Sequence, residues 1–415
     1  MKLELYSLGM GDRFGHQGVA QLKAIQKACA QGVELVPVWN KSHREHTIIG
    51  TSPADTRRAA DQAVKQAGWT ASYYLDADHI SRKNVEGFIP HCDFFTLDVA
   101  ESIGQPASEP SVAQFVERNR QWVGEWKTPG MPKSTLVTED SLLQMGRKYA
   151  AAIEECGRLY RLVASRKAKD GFVVEVSMDE ADIPQSPAEL FFILGGLAHE
   201  TVPVQTIAPR FSGRFNKGVD YVGKPEIFGW EFDAYILSIR QAIQCFDLPK
   251  HLKLSVHSGS DKFSLYPIIH AALKRHGVGI HVKTAGTTWL EEVAGLAAAG
   301  KEGLALAREI YRKAYDRRAE MTAPYASVID IRPDHLPKPD EVDQWNSTRF
   351  VEAVRHIPSC KGYNPDMRQL LHVGYKVAAE MGTTYIQALE RFADVIGPGV
   401  TENLFDRHIR PIFLG

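Results

Sequence analysis

The sequence lacks the features that mark several large classes of protein. Its five cysteines, Cys29, Cys92, Cys156, Cys245 and Cys360, are dispersed and form no C-x-x-C pair. That argues against a disulfide framework and for reduced thiols in a cytoplasm. No run approaches the roughly 18 apolar residues of a membrane span, and the opening "MKLELYSLGMGD" has no apolar signal core. An excess of one charge is missing too: 49 Lys and Arg stand against 50 Asp and Glu, for a net charge of −1. Without a basic field, neither nucleic acid nor an anionic membrane is an expected partner, and a small molecule is. Neither internal repeats nor low-complexity linkers interrupt the 415 residues. With 44% hydrophobic and 24% charged residues, the chain reads as a soluble cytoplasmic protein with a large core.

What is present is a regular alternation. Strand-length apolar runs, "LELYSL", "VELVPVW", "ASYYLDAD", "DFFTLDVA", "GFVVEVSM", "VPVQTIAP", "LKLSVHSG" and "VGIHVKTAG", are separated by helical patterns. Eight such units predict a (β/α)8 barrel over residues 1–305 rather than a doubly wound sheet. A helical insertion is expected at 111–169 and a C-terminal helical extension at 306–415. Ser52 or Asp55 is expected to cap the second long helix. In "LLHVGYKVAAE", His372 and Lys376 stand one helical turn apart. They read as a solvated face, with a place in the active-site roof as the alternative.

The first loop, "YSLGMGDRFGHQG", carries Gly9, Gly11 and Gly15 in a pattern close to a dinucleotide fingerprint. That reading wants an acid at the end of the second strand, where Asn40 and Lys41 stand instead. Asp12, Arg13 and His16 are also bulky where a pyrophosphate needs bare backbone. No NAD is therefore expected. In a barrel the same loop lies at the active face, so Asp12 and His16, with Lys41, become candidate substrate contacts.

Several strand ends are polar. The third holds Asp76, Asp78 and His79, the fifth Glu175, the seventh His257, Ser258, Ser260 and Lys262, and the eighth His281, Lys283 and Thr284. Each has a plain reading: an aspartate capping the next helix, Glu175 paired with a neighbouring Lys or Arg, His257 or His281 packed in a core. A buried carboxylate is costly unless paired or metal-bound. Histidines and a carboxylate gathered at one barrel face form a ligand set for a catalytic divalent metal.

The runs "GMGDRFGHQG", "LDADHI", "SVHSGSDKFSLYP" and "HVKTAGTTWLEE" resemble those of the tagaturonate epimerase family over nearly the whole chain. The resemblance implies a metal-dependent C4-epimerase of tagaturonate and fructuronate, and it extends to proteins used on tagatose and fructose. A weaker likeness to class II aldolases makes a sugar-acid lyase the alternative and sets Gln205 where those enzymes carry a histidine. The expected ligands are His79, Glu175 and His257, with Gln205 and His281 as lesser candidates. Zinc is the first choice of metal, and manganese, nickel or cobalt are compatible with these donors.

The chemistry constrains the mechanism. With the ketone at C2, the C4 proton is not acidified, so retro-aldol cleavage of C3–C4 and re-addition on the opposite aldehyde face is the expected route. It needs a Lewis acid at the ketone and a base at the C4 hydroxyl. Asp78 is the expected base, Asp98 the second group and Asp179 the reserve. For a uronate carboxylate, Arg210 is the first choice, with Lys262 and Lys283 behind it and Ser258, Ser260 and Thr284 as hydroxyl donors. Arg214 and Lys217 read as solvated loop charges. A homo-oligomer is compatible with the sequence.

Overall fold

A computed structural model describes residues 1–168, 171–284 and 286–415. Ten strands are present among them: β1 (Tyr6–Met10), β2 (Leu35–Ser42), β3 (Tyr74–Ile80), β4 (Phe94–Asp98), β5 (Gly124–Trp126), β6 (Thr135–Val137), β7 (Val173–Ser177), β8 (Thr206–Ala208), β9 (Lys253–His257) and β10 (Ile280–Lys283). Eight of them, all but β5 and β6, close into one parallel barrel in chain order, β10 returning to β1. The (β/α)8 expectation holds.

The strands bury two different layers, and period two explains both. On β3, Leu75 and Ala77 face outward into the main core between barrel and helices, whereas Tyr74, Asp76 and Asp78 face the barrel axis. The barrel floor is apolar, built from Leu3, Val36, Val38, Tyr74, Phe94 and Val173. One step further along β3, β4 and β7 the interior becomes ionic, with Asp76, Thr96 and Glu175 joined by Lys283 of β10, all at most 3% exposed. Gly9 on β1 serves that layer. A Cβ there would lie 2.7 Å from Lys283 Cγ, so the glycine makes room for the lysine stem.

Local signals set the helices. The helix Pro53–Ala67 starts at a capping box in which Ser52 and Asp55 both take part, and it ends at left-handed Gly68. Ser42 with Glu45 starts His43–Ile49 in the same way, and Ser186 with Glu189 starts Pro187–His199.

Over its described residues, 111–168, the expected insertion is less uniform than its helical pattern suggests. It holds the antiparallel β5–β6 ribbon, and its long helix Glu139–Ala164 packs on β4 and on Pro187–His199 as the barrel's own fourth helix. The elaboration proper is the stretch before that helix. The C-terminal helices wrap the barrel: Ala393–Glu402 and Asn403–Leu414 pack on Gly18–Cys29, and Asn403–Leu414 also packs on Tyr266–His276. None of the described helices is long and apolar enough to cross a membrane.

Candidate active site

A cavity of about 350 Å³ opens at the C-terminal ends of the strands, lined by Asp78, His79, Asp98, Asp179, His257, Lys283 and residues of the C-terminal helices. Barrel geometry puts it there, because inward positions at strand ends lead directly into the βα loops.

His79 reaches the cavity by a local break in the strand. Alternation would turn it away from Asp78, but its φ is +52° and the β3–β4 register shifts between Ala77 and Ile80. Left-handed backbone at a histidine costs about 1–3 kcal/mol, a cost that surrounding structure bears typically at functional positions. The break lets His79 Nδ1 meet Asp78 Oδ1 at 2.9 Å and His79 Nε2 meet Asp179 Oδ1 at 3.2 Å.

His257 completes a second such pair. Its Nε2 lies 2.8 Å from Glu175 Oε1 and its Nδ1 lies 3.2 Å from Asp179 Oδ2. Nδ1 is buried and without a hydrogen-bond partner. One atom each from His79, Asp179 and His257 therefore converge, all within 4.8 Å of one another. Two imidazoles and a carboxylate are a fitting donor set for a divalent cation. Each imidazole is steadied through its other ring nitrogen by a carboxylate, Asp78 or Glu175, as ligating histidines commonly are.

This geometry differs from the expected ligand set. Glu175 is fully buried one layer below, its oxygens taken by His257, Thr96, Thr206 and Lys283. Asp179, expected as a reserve base, takes the converging position. Gln205 is not near the cavity: it bonds Leu3 N, Met1 O and His251 at the opposite mouth of the barrel. His281 lies in mid-barrel against Ser7 and Phe94, where burial lowers its pKa to about 3.

Lys283 is the counter-charge of the interior rather than a free substrate cation. Its Nζ contacts Asp76 at 2.6 Å, Asp78 at 2.9 Å and Glu175 at 2.8 Å. Burial still pushes Asp76 up to about 7, with Lys283 opposing. Burial also acts on Asp78, but Lys283 and His79 outweigh it and hold that carboxyl well below the usual range. Asp78 is thus ionised and engaged on both sides, which suits a support better than a base. Asp98 differs. Burial raises its pKa, no Lys or Arg pairs with it among the described residues, and Oδ1 alone is taken, by Ala100 N.

The remaining expected contacts divide. Ser258 and Arg210 line the cavity, although Ser258 Oγ donates to Lys283 O and Arg210 Nη1 donates to Asp179 O. Lys262 and Ser260 are buried outside the lining, Lys262 donating to the carbonyls of Asn216, Val219 and Asp261. Thr284 bonds Gly9 O. Asp12 and Lys41 line a separate pocket of about 90 Å³ with Asp55, and His16 is exposed. Arg214 lies outside the lining, while Lys217, read as a loop charge, is part of it. Arg13, Arg44, Tyr325, His372 and Tyr375 also line the cavity. Of these, Arg13 stood in the first loop, read as lying at the active face, and His372 in a helical pairing with Lys376, but Lys376 faces out to Glu320.

A parallel barrel whose strand ends bring two carboxylate-backed imidazoles and an aspartate into one cavity defines a (β/α)8 enzyme with a cation-competent centre. The family model for tagaturonate epimerase matches residues 1–391, and the chain belongs to that family of carbohydrate epimerases. A tagaturonate/fructuronate epimerase of Thermotoga maritima is 28% identical over 385 residues, 89% of this chain and 72% of that protein. Two glycerol-complexed crystal structures of fructuronate-tagaturonate epimerase from Cohnella laeviribosi share the fold. Their TM-scores are 0.80 and 0.81 at 23% identity, covering 99% and 98% of this chain and 82% and 81% of those chains.

Proposed function

We propose that this enzyme interconverts tagaturonate and fructuronate by inverting C4, and that His79, Asp179 and His257 hold a divalent metal ion. The convergence of those three donors carries the reading. When bound, such an ion supplies a Lewis acid for the ketone end of the substrate. Family membership and the Thermotoga maritima relative support the substrate pair and fit a cytoplasmic metabolic role.

The protein's own groups account for the proton transfers. Asp98 takes the C4 hydroxyl proton as C3–C4 opens. The electron pair stays on the C1–C3 half as an enediolate, and the C4–C6 half becomes an aldehyde that carries the carboxylate. The aldehyde turns, C3–C4 re-forms on its other face, and Asp98 returns the proton. Nothing is oxidised or reduced in the cycle. Asp78 and Glu175 keep the imidazoles oriented, and Lys283 balances their charge.

The test is NMR of product from purified enzyme, with and without a chelator, in deuterated water. The expected result is chelator-sensitive interconversion with the C4 hydrogen retained. Deuterium at C4 would overturn the route. Asp98→Asn should slow turnover ~10²–10⁴-fold, the usual range for loss of a general base, while bound metal is retained.

A further inference from the structure

The cavity lining carries both signs of charge. Asp78, Asp98, Asp179 and Glu180 lie at or just past strand ends, whereas Lys217 and His372 line it from segments further along the chain. His372 comes from the C-terminal helix Pro365–Val373 and is 3% exposed, yet its Nε2 has no hydrogen-bond partner. The Lys217 side chain makes no hydrogen bond or ion pair to any described residue.

Three glycines lie beside these two side chains, and Gly286 is the one where a Cβ could not fit. A Cβ at Gly286 would lie 1.8 Å from His372 Nε2, one at Gly218 3.3 Å from His372 Cβ, and one at Gly259 3.5 Å from Lys217 Nζ. Gly259 is two residues past His257, and Gly286 N donates to Gly259 O at 3.0 Å. The two polar tips are therefore held against bare backbone. Arg13 fixes the histidine from behind by donating to His372 O at 3.2 Å. A buried imidazole nitrogen without a partner is costly, and an arriving carboxylate supplies one.

We infer that Lys217 and His372 form the carboxylate subsite: they receive the acid end of the hexuronate while its ketone end lies at His79, Asp179 and His257. This rests on the epimerase reading above. Arg210 is less suited, since it is committed to the Asp179 carbonyl, and Arg44 stacks on Tyr325 near Glu45 and Glu180. Burial among Arg13, Lys217, Arg368 and Lys262 holds the His372 imidazole well below its usual pKa, so it serves as a neutral donor. The subsite has a second consequence. The carboxylate belongs to the C4–C6 aldehyde half, so the same grip retains that fragment between cleavage and re-addition.

The experiment uses binding and turnover in parallel on wild type, Lys217→Met, His372→Ala and His372→Gln, each checked for an unchanged melting curve. Calorimetry with galactonate and its neutral counterpart galactitol needs no turnover and is independent of the epimerase reading. Wild type should prefer galactonate at least tenfold. Lys217→Met and His372→Ala should lose that preference, and His372→Gln, which keeps an N–H near the Nε2 position, should restore part of it. In turnover, the same two variants should raise KM for tagaturonate and release free aldehyde fragment, trapped as its oxime. Equal weakening of galactonate and galactitol, or an unchanged preference in both variants, would overturn the subsite. Failure of wild type to interconvert the hexuronates would overturn the epimerase reading and leave the galactonate comparison to decide the subsite.

Discussion

Two Asp–His–His arrangements occur among the described residues, one half-buried and one fully buried, and they do different things. In one, Asp179 stands between His79 and His257, each backed by a further carboxylate, beside a 350 Å³ cavity. In the other, Asp261 stands between His356 and His408 at 3.1 Å from each, but Arg368 Nη2 lies 2.7 Å from the same carboxylate and Thr287 donates to it. Asp261, Arg368 and His408 are completely buried. The first arrangement has surplus negative charge and open space, so it suits a cation. The second has its own cation built in, and it ties the C-terminal helices to the loop that follows His257. Residue type alone does not suit such a trio to a cation; the charge balance and the open cavity beside it do.

The comparison can be broken from either side. The largest effect is expected from Asp179→Ala, which removes the shared carboxylate of the open centre: bound metal and activity should both fall to background while the melting temperature changes little. Metal analysis beside a melting curve checks this, and retained stoichiometric metal would refute the assignment. Asp261→Ala should do the reverse. It strands a buried guanidinium, and breaking such a pair costs about 3–5 kcal/mol, so denaturant unfolding should shift strongly while the folded fraction keeps its metal.

A smaller effect separates a supporting carboxylate from a ligand. Glu175→Gln should weaken metal affinity about 10–100-fold, the usual cost of losing an imidazole's partner, without abolishing binding; complete loss would return Glu175 to the ligand set. The smallest effect concerns pH. Burial would raise the Asp261 pKa, but Arg368 and the two imidazoles outweigh it and hold it well below the usual range. Its stabilisation is therefore complete above the unfolded value of about 3.9 and is lost as pH falls below that. Melting temperatures measured from pH 6 to 3 should drop less steeply in Asp261→Asn than in wild type.

Much of this was decided by sequence alone. The alternation of strand and helix patterns determined the eight-unit barrel, because periods of 2 and 3.6 are local properties of the chain. The same periodicity brought His79, Asp98 and His257 to strand ends, where a barrel builds its site. What the sequence could not decide is depth along the barrel axis and position across it. Glu175 and Asp179 are both acidic and only four residues apart, yet strand register sinks the first into the ionic layer with Lys283 and lifts the second to the histidines. Gln205 precedes a β8 only three residues long, so it falls at the wrong mouth. His79 points inward only because its backbone turns left-handed at a bulge. Lys217 and His372, 155 positions apart in sequence, line one cavity only because the C-terminal helices fold back over the barrel. Such contacts depend on packing between distant segments, and no local pattern encodes them.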